Sequence, residues 1–236
     1  METKRNATFI IGALFVALFM VTALLWKSTI SKNKKDGENN SLVVETQDLL
    51  VSKNLSESDL LPEDAPIVTF IDPQRGAASS TVLLVEFSDF ACPFCRDVQE
   101  SIEKILTKYP NDVRHVWKDA PNENLHEESF KAHIAARCAG REGKFWEYHD
   151  ALFKSIVLSD STLTSIAQNI GLNMTSWQKC LENNEERAKV ERGLLEAQVL
   201  GVDGTPYFFI NGKSLGGAIN FETMDAAILS EINKPQ

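Results

Sequence analysis

Apolar and polar positions divide this chain into three stretches of different pattern. The first is continuous: Ala7 to Trp26 runs for twenty residues without a charge. A helix of that length, at roughly 1.5 Å per residue, spans about 30 Å, the hydrocarbon thickness of a bilayer. The second, from Ser31 to about Glu63, is polar, with apolar islands only at Leu42-Val43-Val44 and Leu49-Leu50-Val51, the pattern of a tether. The third alternates short apolar runs with helical stripes and predicts a folded domain.

Within that domain, Thr81 to Phe87 is short, apolar and rich in β-branched residues, and follows the small residues Gly76 to Ser80. It predicts a buried strand. Val98, Ile102, Ile105, Leu106 and Tyr109 then form one helical face that ends before Pro110, and Val113 to Lys118 alternates as a strand. Strand, helix and strand make a βαβ unit with parallel strands. A helical region follows, with apolar stripes at Phe130, Ile134 and Cys138; at Phe145, His149 and Leu152; at Leu163, Ile166, Ala167 and Ile170; and at Met174, Trp177 and Leu181. Val190, Leu194 and Ala197 mark a longer helix, Tyr207 to Ile210 a strand, Asn211-Gly212 a two-residue hairpin turn, and Phe221, Met224, Ile228 and Ile232 a closing helix.

The candidate chemistry sits where the first strand meets the first helix, at Cys92-Pro93-Phe94-Cys95. Unsatisfied N–H groups and the positive end of the helix dipole favour an anion there, so the Cys92 thiolate is expected to be stabilised. Cys95, nearly one turn on, is placed to attack a mixed disulfide held on Cys92. Attacking Cys92 and resolving Cys95 are the expected roles. Half a zinc site would need two more ligands at short spacing, and no His follows Cys95 closely; no metal and no bound cofactor are expected. Cys138 and Cys180, 42 positions apart, are a candidate structural disulfide worth roughly 3–4 kcal/mol by loop entropy, with two small buried hydrophobes as the alternative. Pro206 heads the third strand, where most X–Pro bonds are trans. His115, His126, His133 and His149 read as structural.

Charge changes the picture in one respect. Residues 1–35 carry six Lys and Arg against Glu2, a net of +5, so the rest carries −14 of the total −9. An acidic body argues against nucleic acid as a partner. Cations flank both ends of the apolar stretch, so loop charge gives no orientation. An uncleaved membrane anchor is expected over residues 1–26, because a cleaved signal peptide usually has a shorter apolar core and a small-x-small cleavage site.

Three motifs in order, Glu86-Phe87-Ser88-Asp89-Phe90-Ala91-Cys92-Pro93-Phe94-Cys95, then Lys144-Phe145-Trp146-Glu147-Tyr148-His149-Asp150 within a helical region, then Gly204-Thr205-Pro206-Tyr207-Phe208-Phe209, resemble the DsbA-like thioredoxin-fold oxidoreductases. The resemblance covers about residues 65–235. It implies an α/β thioredoxin fold with a helical insert at about 121–186, behind an anchor at 1–26 and a polar tether at 27–64. It also implies a cis bond before Pro206, with Thr205 and Pro206 holding substrate peptide. Glu86 matches a buried acid beneath the resolving cysteine, with a raised pKa and a role in relaying the Cys95 proton. The implied activity is disulfide formation in reduced or unfolded secreted proteins on the extracytoplasmic, periplasmic side of the cell membrane. Reoxidation falls to a membrane redox partner, a quinone-linked DsbB-like enzyme. Phe94 replaces a His of the best-known members, which implies a less acidic Cys92 and a weaker oxidant. Thr205 is shared with isomerases. An isomerase or reductase of the same fold, or a tethered binding protein without turnover, are the alternatives.

Overall fold

The computed structural model describes residues 64–234; the apolar stretch at 7–26 and the tether up to residue 63 lie outside the described residues. Among these, five strands form one sheet in the order β1-β3-β2-β4-β5. They are β1 (Gln74–Gly76), β2 (Val82–Ser88), β3 (Val113–Asp119), β4 (Tyr207–Ile210) and β5 (Lys213–Gly216). β2 and β3 are parallel, with Glu86 opposite Trp117, and the other pairs are antiparallel. The helices are α1 (Pro93–Lys108), α2 (Ser129–Gly140), α3 (Phe145–Lys154), α4 (Asp160–Asn169), α5 (Met174–Leu181), α6 (Asn184–Val199) and α7 (Phe221–Ile232). The predicted βαβ unit is β2-α1-β3, α2 to α5 form the predicted insert, and β4, β5 and α7 close the domain.

β2 is nearly continuous in apolar residues because both of its faces are covered. Val82 and Leu84 pack with Val98, Ile102 and Ile105 of α1 and with Met224 and Ile228 of α7. Val85 and Phe87, on the opposite face, pack with Val116, Phe209 and Ala197 of α6. Since side chains alternate along a strand, Glu86 and Ser88 continue the Leu84 face. That face turns polar where β2 nears the start of α1.

α2 departs from its expected single stripe. It is buried on nearly all sides from Ser129 to Ala139, because Ala132, Ala135, Ala136 and Ala139 let neighbouring elements approach closely. Cys138 of α2 and Cys180 of α5 are joined in a disulfide with a Cα–Cα distance of 5.8 Å. Trp177 Nε1 donates to the Ala135 carbonyl beside it at 3.1 Å. α6 lies so close to β3 that a Cβ at Gly193 would sit 2.5 Å from the Asp119 carbonyl oxygen. Asn211 and Gly212 both adopt positive φ, 47° and 80°, as a two-residue hairpin turn requires.

β1 was not predicted. Three residues are too few for a periodicity, and its place comes from pairing with β3 and from the segment before it. Buried Lys118 donates to the Ile67 carbonyl at 2.5 Å and pairs with Asp72 at 3.1 Å and with Glu196 of α6 at 2.9 Å.

Candidate active site

Pro93 opens α1 with a preset φ and without an N–H that the helix would leave unused. Cys92 is therefore the N-cap, in extended conformation, and its carbonyl accepts from Arg96 N at 3.2 Å. Both Cys92 and Cys95 are free thiols and buried, whereas Phe94 between them is 61% exposed. Cys92 Sγ lies 3.5 Å from the Thr205 carbonyl oxygen. The Thr205–Pro206 bond is cis, not the trans form that base rates favour. Residues 113 positions apart thus face each other across the end of the sheet.

The two thiols are pushed in opposite directions. The Cys92 thiol is drawn down to about 6, chiefly by a hydrogen bond from Cys95, against partial burial, with help from the backbone N–H groups of Cys95 and Phe94. Burial, and then the neighbouring Cys92, push the Cys95 thiol up. Cys92 is thus the thiolate at neutral pH and Cys95 the protonated partner. A pKa of about 6 lies well below the roughly 8.5 of a free thiol, and between the values of about 7 for thioredoxin and about 3.5 for DsbA. The Phe94 side chain, apolar and turned to solvent, adds no donor beyond its backbone N–H.

Alkylation of Cys92 by iodoacetamide is accordingly expected to rise about tenfold per pH unit below pH 6 and level off above pH 7, with Cys95 unreactive throughout. A midpoint near 8.5 would refute the assignment. Because the folded pKa is depressed, the thiolate stabilises the reduced fold fully above the unfolded thiol value of about 8.5. That stabilisation is lost as pH falls through about 6.

The loop before Cys92 is held by a buried carboxylate that the sequence reading did not single out. Asp89 accepts from Ala91 N at 2.9 Å and Asn122 N at 3.2 Å, bonds His126 Nδ1 at 2.9 Å, and accepts from the Ser129 hydroxyl. These ties join the active-site loop to α2 and the segment before it. Burial alone would raise the Asp89 pKa, but His133, Ser129 and the Ala91 amide hold it far below the usual carboxylate range. His133 bonds Asp119 at 2.7 Å and lies 3.9 Å from Asp89. Those carboxylates overcome its burial and raise its pKa. Phe90, in the same loop, stacks on Trp117 at 4.6 Å.

Glu86 is fully buried on β2, as expected of the acid beneath Cys95, but its pKa is lowered rather than raised. Burial is the largest single influence and acts upward, but the hydrogen bond from His115 at 2.9 Å and the nearby His115 and His149 together outweigh it. Burial alone is legible along a strand; the partner on β3 is not. Gln99 Nε2 donates both to Glu86 at 2.9 Å and to the Cys95 carbonyl at 3.0 Å. His115, read as structural, is thus a direct partner of the candidate acid. A polar pair, Glu86 and Ser88, on one face of an otherwise apolar strand is the sequence feature that could have pointed there.

Beside Thr205 an open cleft of ≈ 600 Å³ runs between the Ala120–Asn124 segment and α6, with Glu123, Gln198 and Asp203 on its walls. Among the described residues no group of three or more His, Cys, Asp and Glu is arranged to hold a metal ion.

Residues 71–229 match the family described as Thioredoxin. A thioredoxin-like oxidoreductase from Silicibacter pomeroyi DSS-3 shares the fold with a TM-score of 0.66 at 28% identity, over 71% of this chain and 95% of that one. A periplasmic thioredoxin-like protein from Salmonella enterica serovar Typhimurium gives 0.62 at 27% identity, over 70% and 91%. By sequence the chain is 32% identical over 160 residues to a protein of Salinispora arenicola (strain CNS-205) described as Na(+)/H(+) antiporter NhaA 1. That match covers 67% of this chain and 24% of the antiporter, so the chain spans about a quarter of that relative's length.

Proposed function

The chain belongs to the thioredoxin family, in its DsbA-like form, and from there we propose that it is a thiol–disulfide oxidoreductase that forms disulfide bonds in reduced extracytoplasmic proteins. The observation that carries this reading is the pairing of a stabilised Cys92 thiolate with a protonated Cys95 against the cis Thr205–Pro206 bond. Stabilising the thiolate favours the reduced enzyme, which makes its disulfide an acceptor of electrons from substrate.

In the forward reaction a substrate thiolate attacks Cys92 Sγ, and the Cys92–Cys95 bond breaks with its electron pair on Cys95. A second substrate thiol then attacks the mixed disulfide, releasing oxidised substrate and the Cys92 thiolate. Thr205 and Pro206 form the wall against which the substrate peptide lies, and Glu86 exchanges the Cys95 proton. Cys138 and Cys180 take no part in turnover and staple the insert. A membrane redox partner of the quinone-linked, DsbB-like kind regenerates the disulfide. The apolar stretch at 7–26 anchors the protein, with its domain outside the cytoplasm, in keeping with the periplasmic description of the Salmonella relative.

Two measurements test this reading. Equilibration of the Cys92–Cys95 pair against glutathione is expected to give a potential above the roughly −270 mV of thioredoxin, with catalysis of disulfide formation in a reduced multi-cysteine protein. A potential at or below that of thioredoxin would make it a reductase. In intact cells, Cys92 is expected to react with a membrane-impermeant alkylating agent after reduction; no labelling would refute the extracytoplasmic placement.

A further inference from the structure

We infer that the enzyme selects substrates carrying lysine or arginine near the reactive cysteine, and that the cleft beside Thr205 recognises those cations through the Glu123 and Asp203 carboxylates. The inference rests on the oxidoreductase reading above and names the substrate class of that same site. The cleft begins next to the reactive sulfur. Thr205, whose carbonyl oxygen lies 3.5 Å from Cys92 Sγ, is part of its wall, and from there its ≈ 600 Å³ extend between the segment after β3 and the C-terminal end of α6. The amides of Gly204 and Thr205 have no hydrogen-bond partner among the described residues. A peptide joined to Cys92 therefore meets free backbone donors at this end and continues past Gly204 and Asp203. An extended chain advances about 3.3–3.6 Å per residue, so side chains a few positions from the reactive cysteine reach the cleft walls.

The floor of the cleft is apolar and its walls are acidic. Ala120, Ala197 and Val202 belong to the core on the side of the sheet away from α1, and they offer the aliphatic stem of a lysine or arginine a surface to cover. Glu123 and Asp203 stand on the walls, both exposed, and neither has an ion pair or hydrogen bond with any described residue. No Lys or Arg is among the residues that line the cleft. Glu127 and Glu128 follow Glu123 in a segment that has no Lys or Arg between Asp119 and Phe130, and His126 in the same segment is engaged by Asp89 at 2.9 Å. The field over the cleft is thus negative.

Such a cleft discriminates by charge. A cationic segment is drawn toward it during encounter and gains exposed ion pairs once its cysteine reaches Cys92, whereas an acidic segment meets like charge on both walls. An apolar segment gains the floor alone. The two carboxylates come from segments eighty positions apart, one after β3 and one before the cis proline, and the fold brings them to one cleft.

The test mixes the oxidised full-length protein with reduced dithiol peptides that differ only in carrying Lys, Ala or Glu on either side of one cysteine, and follows peptide oxidation by acid quench and mass analysis. Neighbouring charge also alters a peptide thiol's own reactivity, so each rate is divided by that of the same peptide with the neutral reagent 2,2′-dithiodipyridine. In about 0.01 M salt the Lys peptide is expected to react about tenfold faster than the Glu peptide, the product of a few exposed ion pairs gained or opposed. In about 1 M salt the difference is expected to shrink to about twofold or less, a readout that needs no variant to fold. Glu123→Gln/Asp203→Asn, at two exposed positions, is expected to remove the preference at low salt. Equal corrected rates in the wild-type protein, or a preference that persists unchanged in the double variant, would overturn the inference. Failure of the wild-type protein to oxidise any of the peptides would overturn the oxidoreductase reading itself.

Discussion

Cys92→Ser protein is expected to show no catalysis of disulfide exchange above the uncatalysed background, whereas Cys95→Ser is expected to accumulate as a mixed disulfide with substrate. The difference follows from the opposed thiols. Cys92, drawn down to about 6, is about nine-tenths thiolate at pH 7 and sits beside Thr205, where a substrate can reach it. A serine hydroxyl there is neither ionised nor able to form the bond. Cys95 is protonated and fully buried, so its loss removes resolution and leaves attack intact. Incubation with a reduced, unfolded protein under mild oxidation, followed by non-reducing electrophoresis and mass analysis, separates the two. Trapped adducts on Cys95→Ser and none on Cys92→Ser support the roles. Residual turnover in Cys92→Ser would remove the enzymatic reading and favour a binding protein that merely keeps the fold.

The second large effect falls on stability. The Cys138–Cys180 bond closes a loop of 42 positions, for which chain entropy gives about 4 kcal/mol. Folded domains are stable by only about 5–15 kcal/mol, so the double variant Cys138→Ala/Cys180→Ala is expected to lose a large share of its margin. For a domain of this size that is a fall in Tm of about 10 °C. Alanine is the appropriate replacement because both sulfurs lie in the apolar core beside Trp177 and the alanines of α2. Serine would add a buried hydroxyl and confuse two effects. Denaturant unfolding measures the loss, and an unchanged midpoint would mean that helix packing alone holds the insert. The Cys92 alkylation midpoint is expected to stay near 6, since the staple joins α2 to α5 and touches neither thiol of the active pair.

Much of the fold was legible because its elements are recorded locally. β2 and α1 follow from one apolar run and one helical stripe, and the Asn211-Gly212 turn from the two residues most tolerant of positive φ. The thiol pair at the head of α1 follows from the order strand, cysteine, proline, helix. These features depend on residues within a few positions of one another, and periodicity reports which face of each element is buried. Periodicity is silent about what covers that face. The family resemblance carried Glu86 as a buried acid with a raised pKa, and burial does act in that direction. The structure sets His115 of β3 against it at 2.9 Å and reverses the shift.

The same division holds for the rest of the site. By itself the chain determined the redox pair, its strand-to-helix setting and the helical insert, because each is written in contiguous residues. Only the tertiary structure decided that Cys138 meets Cys180, that Thr205 faces Cys92 from 113 positions away, and that Asp89 ties the active loop to Ser129 and His126. Hydrogen bonds, disulfides and pKa shifts depend on distances of a few ångströms between atoms far apart in sequence, and the packing of sheet against helices fixes those distances.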